Sequence, residues 1–351
     1  MSNYIPFLKL KQNEIYALYD LRKEAHDKLT PFFDIPRPQE INNQSVKSAV
    51  DTGIKHLNNK WNIEKEFYID IQDIPTQFSC DNQNTYQYTL DQLNDFNYIP
   101  VTGINRHADH NKIVLSSLSN SLCNSSCIRL TKDDIEEFTF IEDELVDLYK
   151  SLSIKPIDLV LDMRFISDLE IKKRLLSSLQ NFIPELLENL RFRRIILTGS
   201  SISSDFNHHS STNTDSITER FEWTLYNEIL NSSDMKITYG DYGIVSPDYT
   251  DANIPVELIQ NVATPKLIYT SEDFFHMFRG GNFRTHKRKR NQYFDLAKKI
   301  VSLFEYRTSA YSIGDKFIYD KSLELGNPSS QGNWYRMLNN SHITFICKEL
   351  V

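Results

Sequence analysis

The sequence predicts a (β/α)8 TIM-like barrel with a C-terminal extension packed on it. Eight short runs rich in Ile, Val, Phe and Tyr are apolar almost throughout, which is typical of strands buried on both faces of a parallel sheet. The runs begin about 33 residues apart, close to the repeat of a barrel of roughly 250 residues. An open, doubly wound parallel sheet is the alternative, but KLKQNE after the first run has no glycine for the nucleotide-binding turn of that fold.

The predicted strands follow one another along the first part of the chain, and helical patterns lie between several of them. The clearest helix is 171–190, where Leu175, Leu179 and Ile183 fall on one stripe at helical spacing. Because a crossover helix joins parallel strands that are neighbours, we expect consecutive strands to pair. The predicted strands are 4–10, 30–36, 66–73, 98–104, 127–131, 157–163, 194–199 and 236–241, and the predicted helices are 12–27, 133–152, 171–190 and 218–230.

The rest of the chain follows without a linker rich in Pro, Gly or Ser. We therefore expect one domain over 1–351, with the barrel repeats in 1–245 and a C-terminal part, 246–351, that supplies the last barrel helix and a lid. The Ser- and Asn-rich stretch 200–216 is predicted to be a mobile loop. In the C-terminal part we expect strands at 265–270 and 274–278, a helix at 289–304, extended segments at 311–319 and 342–347, and a loop at 325–334.

The composition is that of a soluble globular protein, which excludes collagen-like, disordered and disulfide-rich classes. The 351 residues include 39 Lys and Arg against 47 Asp and Glu, a net charge of −8 that disfavours nonspecific nucleic-acid binding by the whole surface. No apolar stretch is long enough for a membrane helix, and the run at 4–8 is too short for a signal peptide. The four scattered cysteines fit reduced thiols, so we expect a cytoplasmic protein without a membrane partner.

Charged residues follow several predicted strands at the point where each strand ends. Functional sites of barrels lie at the C-terminal ends of the strands, so we expect these side chains to converge at one mouth. Carboxylates among cations can perform acid–base chemistry or bind a divalent metal ion through oxygen. The candidate catalytic residues are Lys9, Asp34, Asp70, Arg129, Asp162, Arg164 and Asp241.

The same charges also have a structural interpretation. Carboxylates paired with Lys and Arg can form a buried ring of salt bridges that closes the barrel. Charges at strand ends carry a desolvation cost that structure alone seldom requires, which favours a functional mouth. The two interpretations differ in one observable. A structural ring has a cation within about 3 Å of each carboxylate, whereas a site has unpaired carboxylates facing a cavity.

Glycine is rare in this chain and falls mostly after residue 198, which draws attention to LTGSS at the end of the seventh predicted strand. The loops after strands seven and eight of barrels commonly bind phosphate, and backbone amides there can form a nest for an anion. The alternative is an ordinary tight turn, because the motif is not a P-loop. The candidate phosphate ligands are Thr198, Gly199 and Ser200, with Lys11 from the loop after the first strand.

One basic cluster, HKRKR at 286–290, stands out in this acidic chain. Arg279 and Arg284 precede it, and together with Lys287 and Arg288 they form a candidate site for a phosphate backbone or an acidic protein surface. Cations at the start of a helix oppose the helix dipole, which favours a partner. The alternative is a solvated helix start.

Zinc and a hydrolytic triad are weakly indicated. The His107, His110 pair and the Cys123, Cys127 pair lack the tight spacing of closed zinc sites. GSS at 199–201 is not a nucleophile elbow, and no order of Ser, His and Asp predicts a triad. A divalent metal ion held by the strand-end carboxylates is the cofactor that the sequence leaves open.

Several motifs occur in a recognisable order over essentially the whole chain. They are YIPFLKLKQNEIYALYDL and LTPFFDIP, then LVLDMRFI, RIILTGSS and RFEWTLYNEI, and finally KITYGDYGIVSPDY, SIGDKFI and GNPSSQGNWYRMLNNSHITFI. Together they resemble the motifs of the Beta protein family, which is named after a bacteriophage protein. His342 lies in the last motif and is therefore a candidate ligand residue, with a satisfied core histidine as an equal alternative.

The resemblance implies a biological setting rather than a reaction. Members of this type occur in phages and in bacterial gene neighbourhoods linked to phage conflict. We therefore expect a cytoplasmic barrel that acts in phage–host conflict by binding a protein, or a phosphate-bearing or nucleic-acid ligand, at its C-terminal mouth. The alternative is a metal- or lysine-assisted hydrolase of a phosphoester or glycosidic bond. Barrels host many functions, so the sequence leaves open whether the chain is an enzyme and what its oligomeric state is.

Overall fold

The computed structural model describes residues 3–120, 122–232, 236–249 and 263–349. Eight parallel strands close into a barrel in which each strand pairs with the next along the chain and the last pairs with the first. The predicted (β/α)8 barrel is therefore confirmed, and the doubly wound sheet is excluded. The strands, numbered β1 to β8, are Tyr4–Lys9, Phe32–Asp34, Phe67–Asp70, Tyr98–Thr102, Ser126–Thr131, Ile157–Phe165, Arg194–Ser200 and Ile237–Asp241.

Side chains that alternate along each strand fill the barrel interior. Phe7, Phe32 and Tyr68 come from β1, β2 and β3 and stack in series, with ring centroids 4.2 Å and 5.5 Å apart. Their sequence neighbours Leu8 and Phe33 face outward into a larger core beneath the helices. Because both faces of each strand are buried, both sets of residues are apolar, which accounts for the continuous apolar runs.

The strand register brings the charged strand ends to one level. Lys9 on β1 is the neighbour of Asp34 on β2, and Asp34 is the neighbour of Asp70 on β3. On the other side of the barrel, Asp162 on β6 is the neighbour of Thr198 on β7. These residues therefore lie at or near the C-terminal ends of their strands, around the same mouth.

Helices surround the barrel, and local capping fixes where they begin. The helix Asn43–Lys60 starts with a reciprocal pair in which Asn42 and Ser45 each accept from the other's backbone N–H. No helix within the described ranges is long and apolar enough to cross a membrane. The other helices are Gln12–Tyr19, Lys23–His26, Thr85–Asp91, Ala108–Ser117, Lys132–Glu136, Phe138–Leu152, Leu169–Asn189, Phe221–Ser232, Gln292–Val301, Ile313–Ser322 and Gln331–Glu349.

The predicted helices exist, but two of them are broken. The segments 12–27 and 133–152 each contain two helices separated by a short turn. The spacing of apolar residues does not reveal such a turn, because the helices on both sides of it pack on the same core. The helix predicted at 171–190 agrees closely with the structure.

A segment between β7 and β8 and two segments beyond the barrel form a small antiparallel sheet with the order Asp215–Glu219, Phe274–Arg279 and Lys266–Thr270. The last two strands agree with those predicted at 274–278 and 265–270. The first was not predicted: it begins in the stretch 200–216 predicted as a mobile loop and ends in the segment predicted as the helix 218–230, because DSITE is too short and too polar to indicate a strand. Its backbone instead pairs with a neighbouring strand that the sequence places far away.

Two segments predicted as extended are helical, so the prediction was wrong there. Residues 311–319 lie largely in Ile313–Ser322, and 342–347 lie inside Gln331–Glu349, which we call the C-terminal helix. A continuous run through this helix is buried on every side. It therefore lacks a solvent-exposed face, so polar and apolar residues do not alternate at helical spacing, and a short run of this kind cannot be assigned to helix or strand by periodicity alone. The helix contacts β1 and the first helix of the chain, the position of the eighth barrel helix.

Candidate functional site at the C-terminal mouth of the barrel

Most of the predicted strand-end charges meet in one buried ion network centred on Arg129. Its guanidinium is fully buried and donates from one nitrogen to Asp34 at 2.8 Å and to Asp70 at 2.9 Å. The other nitrogens donate to Asp162 at 2.7 Å and 3.1 Å. The Tyr242 hydroxyl donates to the same Asp162 oxygen at 2.6 Å. One arginine therefore ties together β2, β3, β5 and β6.

Further cations surround the centre and balance its charge. The Lys9 ammonium lies 3.3 Å from Asp34 and 2.6 Å from Asp73. Every carboxylate of the network has a cation within 3 Å, which is the criterion for a structural ring. The network contains four carboxylates, Asp34, Asp70, Asp73 and Asp162, and four cations, Lys9, Arg106, Arg129 and Arg164.

Burial disfavours the charged form of each group in this network, and the opposite charge of its partner favours that form. Desolvation would raise the pKa of Asp34, but Arg129 and Lys9 hold it well below its usual range. Desolvation also opposes charge on Arg129, and the surrounding acidic groups outweigh it and raise its pKa. A carboxylate held in this way is a poor proton acceptor. The geometry therefore supports the structural interpretation of Asp34, Asp70 and Asp162.

Asp241 does not join the other carboxylates, contrary to the expectation. Gly240 before it faces the barrel interior against Phe7, so Asp241 faces outward to the C-terminal helix. There its oxygens lie 3.0 Å from His342 Nε2 and accept from the Tyr4 hydroxyl at 2.5 Å. Desolvation would raise the pKa of Asp241, but His342 lowers it to about 2. This cluster joins the barrel to the C-terminal helix.

His342 belongs to the same outward cluster. Its side chain is fully buried, and its Nδ1 lies 2.8 Å from the Thr270 hydroxyl while Nε2 binds Asp241. Both ring nitrogens are therefore occupied. The geometry corresponds to the satisfied core histidine rather than to a ligand-binding one.

A cavity of about 580 Å³ lies at the C-terminal mouth and shares Lys9 with the ion network. Lys11 and Glu14 from the start of the first helix form its polar wall, and Lys266 and Tyr335 face it from the C-terminal part. Its size is that of a small-molecule site, at the end of the barrel where such sites form. The apolar lining consists of Ile202, Phe206, Ile244, Val245, Ile268 and Leu338.

Two lysines of this mouth cavity are not held in a salt bridge by any described carboxylate. Within the residues that the structure describes, neither Lys11 nor Lys266 forms a salt bridge, whereas Lys9 is bound by two aspartates. The Lys266 ammonium lies 5.0 Å from the centroid of the Phe206 ring. Burial lowers the pKa of Lys266, and the nearby Arg279 guanidinium adds to the effect. An anion in the cavity would supply the missing negative charge.

Glu14 is the acidic group of the mouth cavity that titrates near neutrality. Its side chain is buried, and burial raises its pKa to about 7, although Lys11 and a hydrogen bond from Tyr335 act in the opposite direction. Near neutral pH the carboxyl group is therefore divided between its protonated and ionised forms. Protonation of Glu14 makes the cavity more positive.

The comparison with known families identifies the chain. The model of the Beta protein family matches residues 4–348. The chain belongs to the Beta protein family. Among solved structures it is similar to the N-terminal domain of a proposed aldolase from Bacteroides vulgatus, with 12% sequence identity, coverage of 74% of this chain and 78% of that chain, and a TM-score of 0.32. No curated protein matches it significantly.

In this Beta protein family member, Thr198, Gly199 and Ser200 lie inside β7 and form no anion-binding turn. Amides within a strand are directed to the neighbouring strands, so they cannot converge on a phosphate. The Ser200 hydroxyl donates to the carbonyl of Val245 at 3.0 Å and is thereby used to hold the loop after β8. The expectation of an anion-binding nest at these three residues was therefore wrong.

None of the basic residues predicted in the C-terminal part lines the mouth cavity. They are Arg279, Arg284, Lys287 and Arg288. Arg279 is buried and donates at 2.7 Å to Asn207 and to the carbonyl of Ser210. Arg288 binds Asp295 at 2.8 Å and Glu324 at 3.1 Å. These two arginines hold the C-terminal part together, while Arg284 and Lys287 are exposed.

The described residues contain no group of three or more His, Cys, Asp or Glu side chains placed to bind a metal ion. The inward aspartates converge, but the Arg129 guanidinium occupies the position between them. His110 stacks on Tyr86 at 4.3 Å, and Cys123 and Cys127 are buried free thiols. The strand-end carboxylates therefore offer no open ligand set for a divalent cation.

Sequence reasoning missed Glu14, Lys266 and Tyr335. Glu14 was accessible to the rule that selected Lys11, because it follows β1 within one helical turn. Lys266 and Tyr335 come from the small sheet and the C-terminal helix, and they reach the mouth only through tertiary packing. No local pattern marks them.

Proposed function

We propose that this Beta protein family member binds a phosphate-bearing small molecule of the nucleotide class in the mouth cavity. The observation that carries the proposal is the pair Lys11 and Lys266, both without a carboxylate partner among the described residues, beside an apolar wall. Lysine is a common phosphate ligand, and ligand sites combine a few charged groups with apolar lining. A nucleotide joins a phosphate to a flat ring that can lie against Phe206 and Tyr335.

In this proposal the Arg129 network supports the site from beneath, and Lys9 is the member of the network that lines the cavity. Its carboxylates and cations neutralise each other, so it contributes little net charge to the cavity. Its side chains hold the strand ends in place beneath the ligand. Variants of Arg129 are therefore expected to affect stability first.

The family membership supports a setting in phage–host conflict, and we propose that the ligand is bound in the cytoplasm of an infected cell. A bacterial strain that expresses the protein should then show altered phage plaque counts. The variant Lys11→Gln with Lys266→Gln should lose this effect while remaining folded. Equal plaque counts for cells with and without the wild-type chain would contradict the proposed setting.

A second candidate function, hydrolysis of a phosphoester, is favoured by Glu14. The carboxyl group lies in the cavity with the lysines and has a pKa of about 7, which suits a general base near neutral pH. The predicted aspartates are paired and do not supply such a base. Release of phosphate or nucleoside that is lost in Glu14→Gln, with binding retained, would favour hydrolysis over binding alone.

Isothermal titration calorimetry with inorganic phosphate and the four ribonucleoside 5′-monophosphates tests the proposal. We expect at least one nucleotide to bind more tightly than phosphate, and Lys11→Gln with Lys266→Gln to weaken it about tenfold or more. The matched control is Lys287→Gln with Lys289→Gln, which removes the same charge from exposed residues outside the cavity. Binding lost in the control and retained in the cavity variant would contradict the proposed site.

A further inference from the structure

A second cavity of about 370 Å³ adjoins the mouth cavity, and Lys11 lines both. We call it the rim groove. It runs between the loop after β1, the loop after β2 and one side of the helix Asn43–Lys60. Its lining includes Leu10, Lys11, Arg37, Ser48, Ala49 and Thr52.

The boundary between the two cavities is cationic and aromatic. Tyr249 lines the mouth cavity, and the Arg37 guanidinium of the rim groove lies 4.9 Å from the centroid of its ring. The backbone N–H of Arg37 donates to the Tyr249 hydroxyl at 2.9 Å. On the mouth side, the Lys9 ammonium lies 5.0 Å from the same ring. A ligand that passes from one cavity to the other therefore passes Lys11 and Arg37.

Small side chains of the helix Asn43–Lys60 form the far wall of the rim groove and leave space beside it. Ser45, Ser48, Ala49 and Thr52 are spaced to lie on one side of their helix, and each has a small side chain. Leu10 beneath them is buried, and the helix is held against it at Gly53, where an added Cβ would lie 2.7 Å from the Leu10 carbonyl oxygen. The groove is therefore a fixed feature of the barrel rim.

We infer that the ligand is longer than one nucleotide and is a linear, 5′-phosphorylated dinucleotide whose two units occupy the mouth cavity and the rim groove. The inference rests on the proposed function. The linking phosphate lies at Lys11, the residue common to both cavities. Charge complementarity favours this occupant, because Lys266 and Lys11 line the mouth cavity and Lys11 also lines the rim groove, where each can face a phosphate. The hydroxyls of Ser48 and Thr52 are donors for the sugar or phosphate of the second unit.

Calorimetry with adenosine 5′-monophosphate and the dinucleotide pApA tests the inference. For the wild-type chain we expect pApA to bind about tenfold more tightly than the mononucleotide. Ser48→Trp should fill the groove and abolish this difference, while leaving mononucleotide affinity within about twofold of wild type. The control Asn59→Trp places the same bulk on an exposed position of the same helix outside the groove and should keep the difference.

The outcomes separate the inference from the proposed function. Equal affinities of the wild-type chain for the two ligands would overturn the inference and leave mononucleotide binding intact. A preference for pApA that Ser48→Trp does not reduce would also overturn it, because the second unit would then lie elsewhere. If neither ligand binds while the chain is folded, the proposed function and the inference fail together.

Discussion

The substitution Arg129→Met tests the role of the ion network. Arg129 is fully buried and donates to Asp34, Asp70 and Asp162. Removing one partner of a buried ion pair costs about 3–5 kcal/mol, because the remaining charge is left uncompensated. Asp34 keeps Lys9 and Asp70 keeps Arg106, while Asp162 keeps hydrogen bonds from the Tyr242 hydroxyl and the Arg164 backbone N–H, so we expect a loss of this size rather than three times as much. The total free energy of unfolding of a typical domain is about 5–15 kcal/mol.

Urea unfolding at pH 7, followed by circular dichroism, measures this loss. The matched control is Arg174→Met, because Arg174 forms a single 3.4 Å pair with Glu136 and is 59% exposed. An exposed pair of this kind contributes about 0–1 kcal/mol. We expect the two variants to differ by several kcal/mol. A loss in the free energy of unfolding below about 1 kcal/mol for Arg129→Met, or one equal to that of the control, would contradict the stabilising role of Arg129.

The pH dependence of the same variant provides a second check. The folded-state pKa of Asp34 is depressed, so its contribution to stability is present above the unfolded pKa and is lost as pH falls through the folded value. In Arg129→Met the carboxylates can take up protons at higher pH and avoid the uncompensated charge. The stability difference between wild type and Arg129→Met should therefore be largest near pH 7 and shrink towards pH 4. A constant difference over this range would contradict the electrostatic explanation.

Three further predictions concern Glu14, Asp241 and the thiols. Burial raises the pKa of Glu14 from 4.5 to about 7, so wild type should lose stability as pH rises across this window. Glu14→Gln should be more stable than wild type at pH 8 by up to about 3 kcal/mol in urea unfolding, and equal stability would contradict the raised pKa. In binding, nucleotide affinity should fall as pH rises through 7 in wild type and stay flatter in Glu14→Gln. Asp241→Asn should cost about 1–3 kcal/mol in thermal unfolding, because His342 and Tyr4 lose a charged acceptor, and an unchanged Tm would contradict this role. The four buried cysteines should react with Ellman's reagent only as the chain unfolds, since burial raises the pKa of Cys123 to about 11. Rapid labelling of the native chain would contradict the burial of the four thiols.

The barrel could be predicted because its signal is local and repeated. A strand such as Ile157–Phe165 is apolar on both faces, and each repeat carries the same pattern. The C-terminal helix could not be predicted in this way. Its burial on all sides removes the amphipathic stripe, and some of the partners that bury it, at β1 and the first helix of the chain, lie more than 300 residues away.

The candidate site was predictable only in part. Position at a strand end identified Lys9, Lys11 and Arg129, because the barrel places such residues at one mouth. The same rule wrongly included Asp241, since it does not resolve which side of the strand a residue faces. Which charges neutralise each other depends on side-chain geometry, so the sequence could not separate Lys9, which binds two aspartates, from Lys11, which forms no salt bridge with any described residue.

A crystal structure of the wild-type chain grown with the tightest-binding nucleotide would locate the ligand. We expect phosphate density in the mouth cavity beside Lys11 and Lys266, with the Arg129 network intact beneath it. Density at the basic cluster 286–290, or a ligand bound to the Arg129 carboxylates, would contradict nucleotide binding in the mouth cavity.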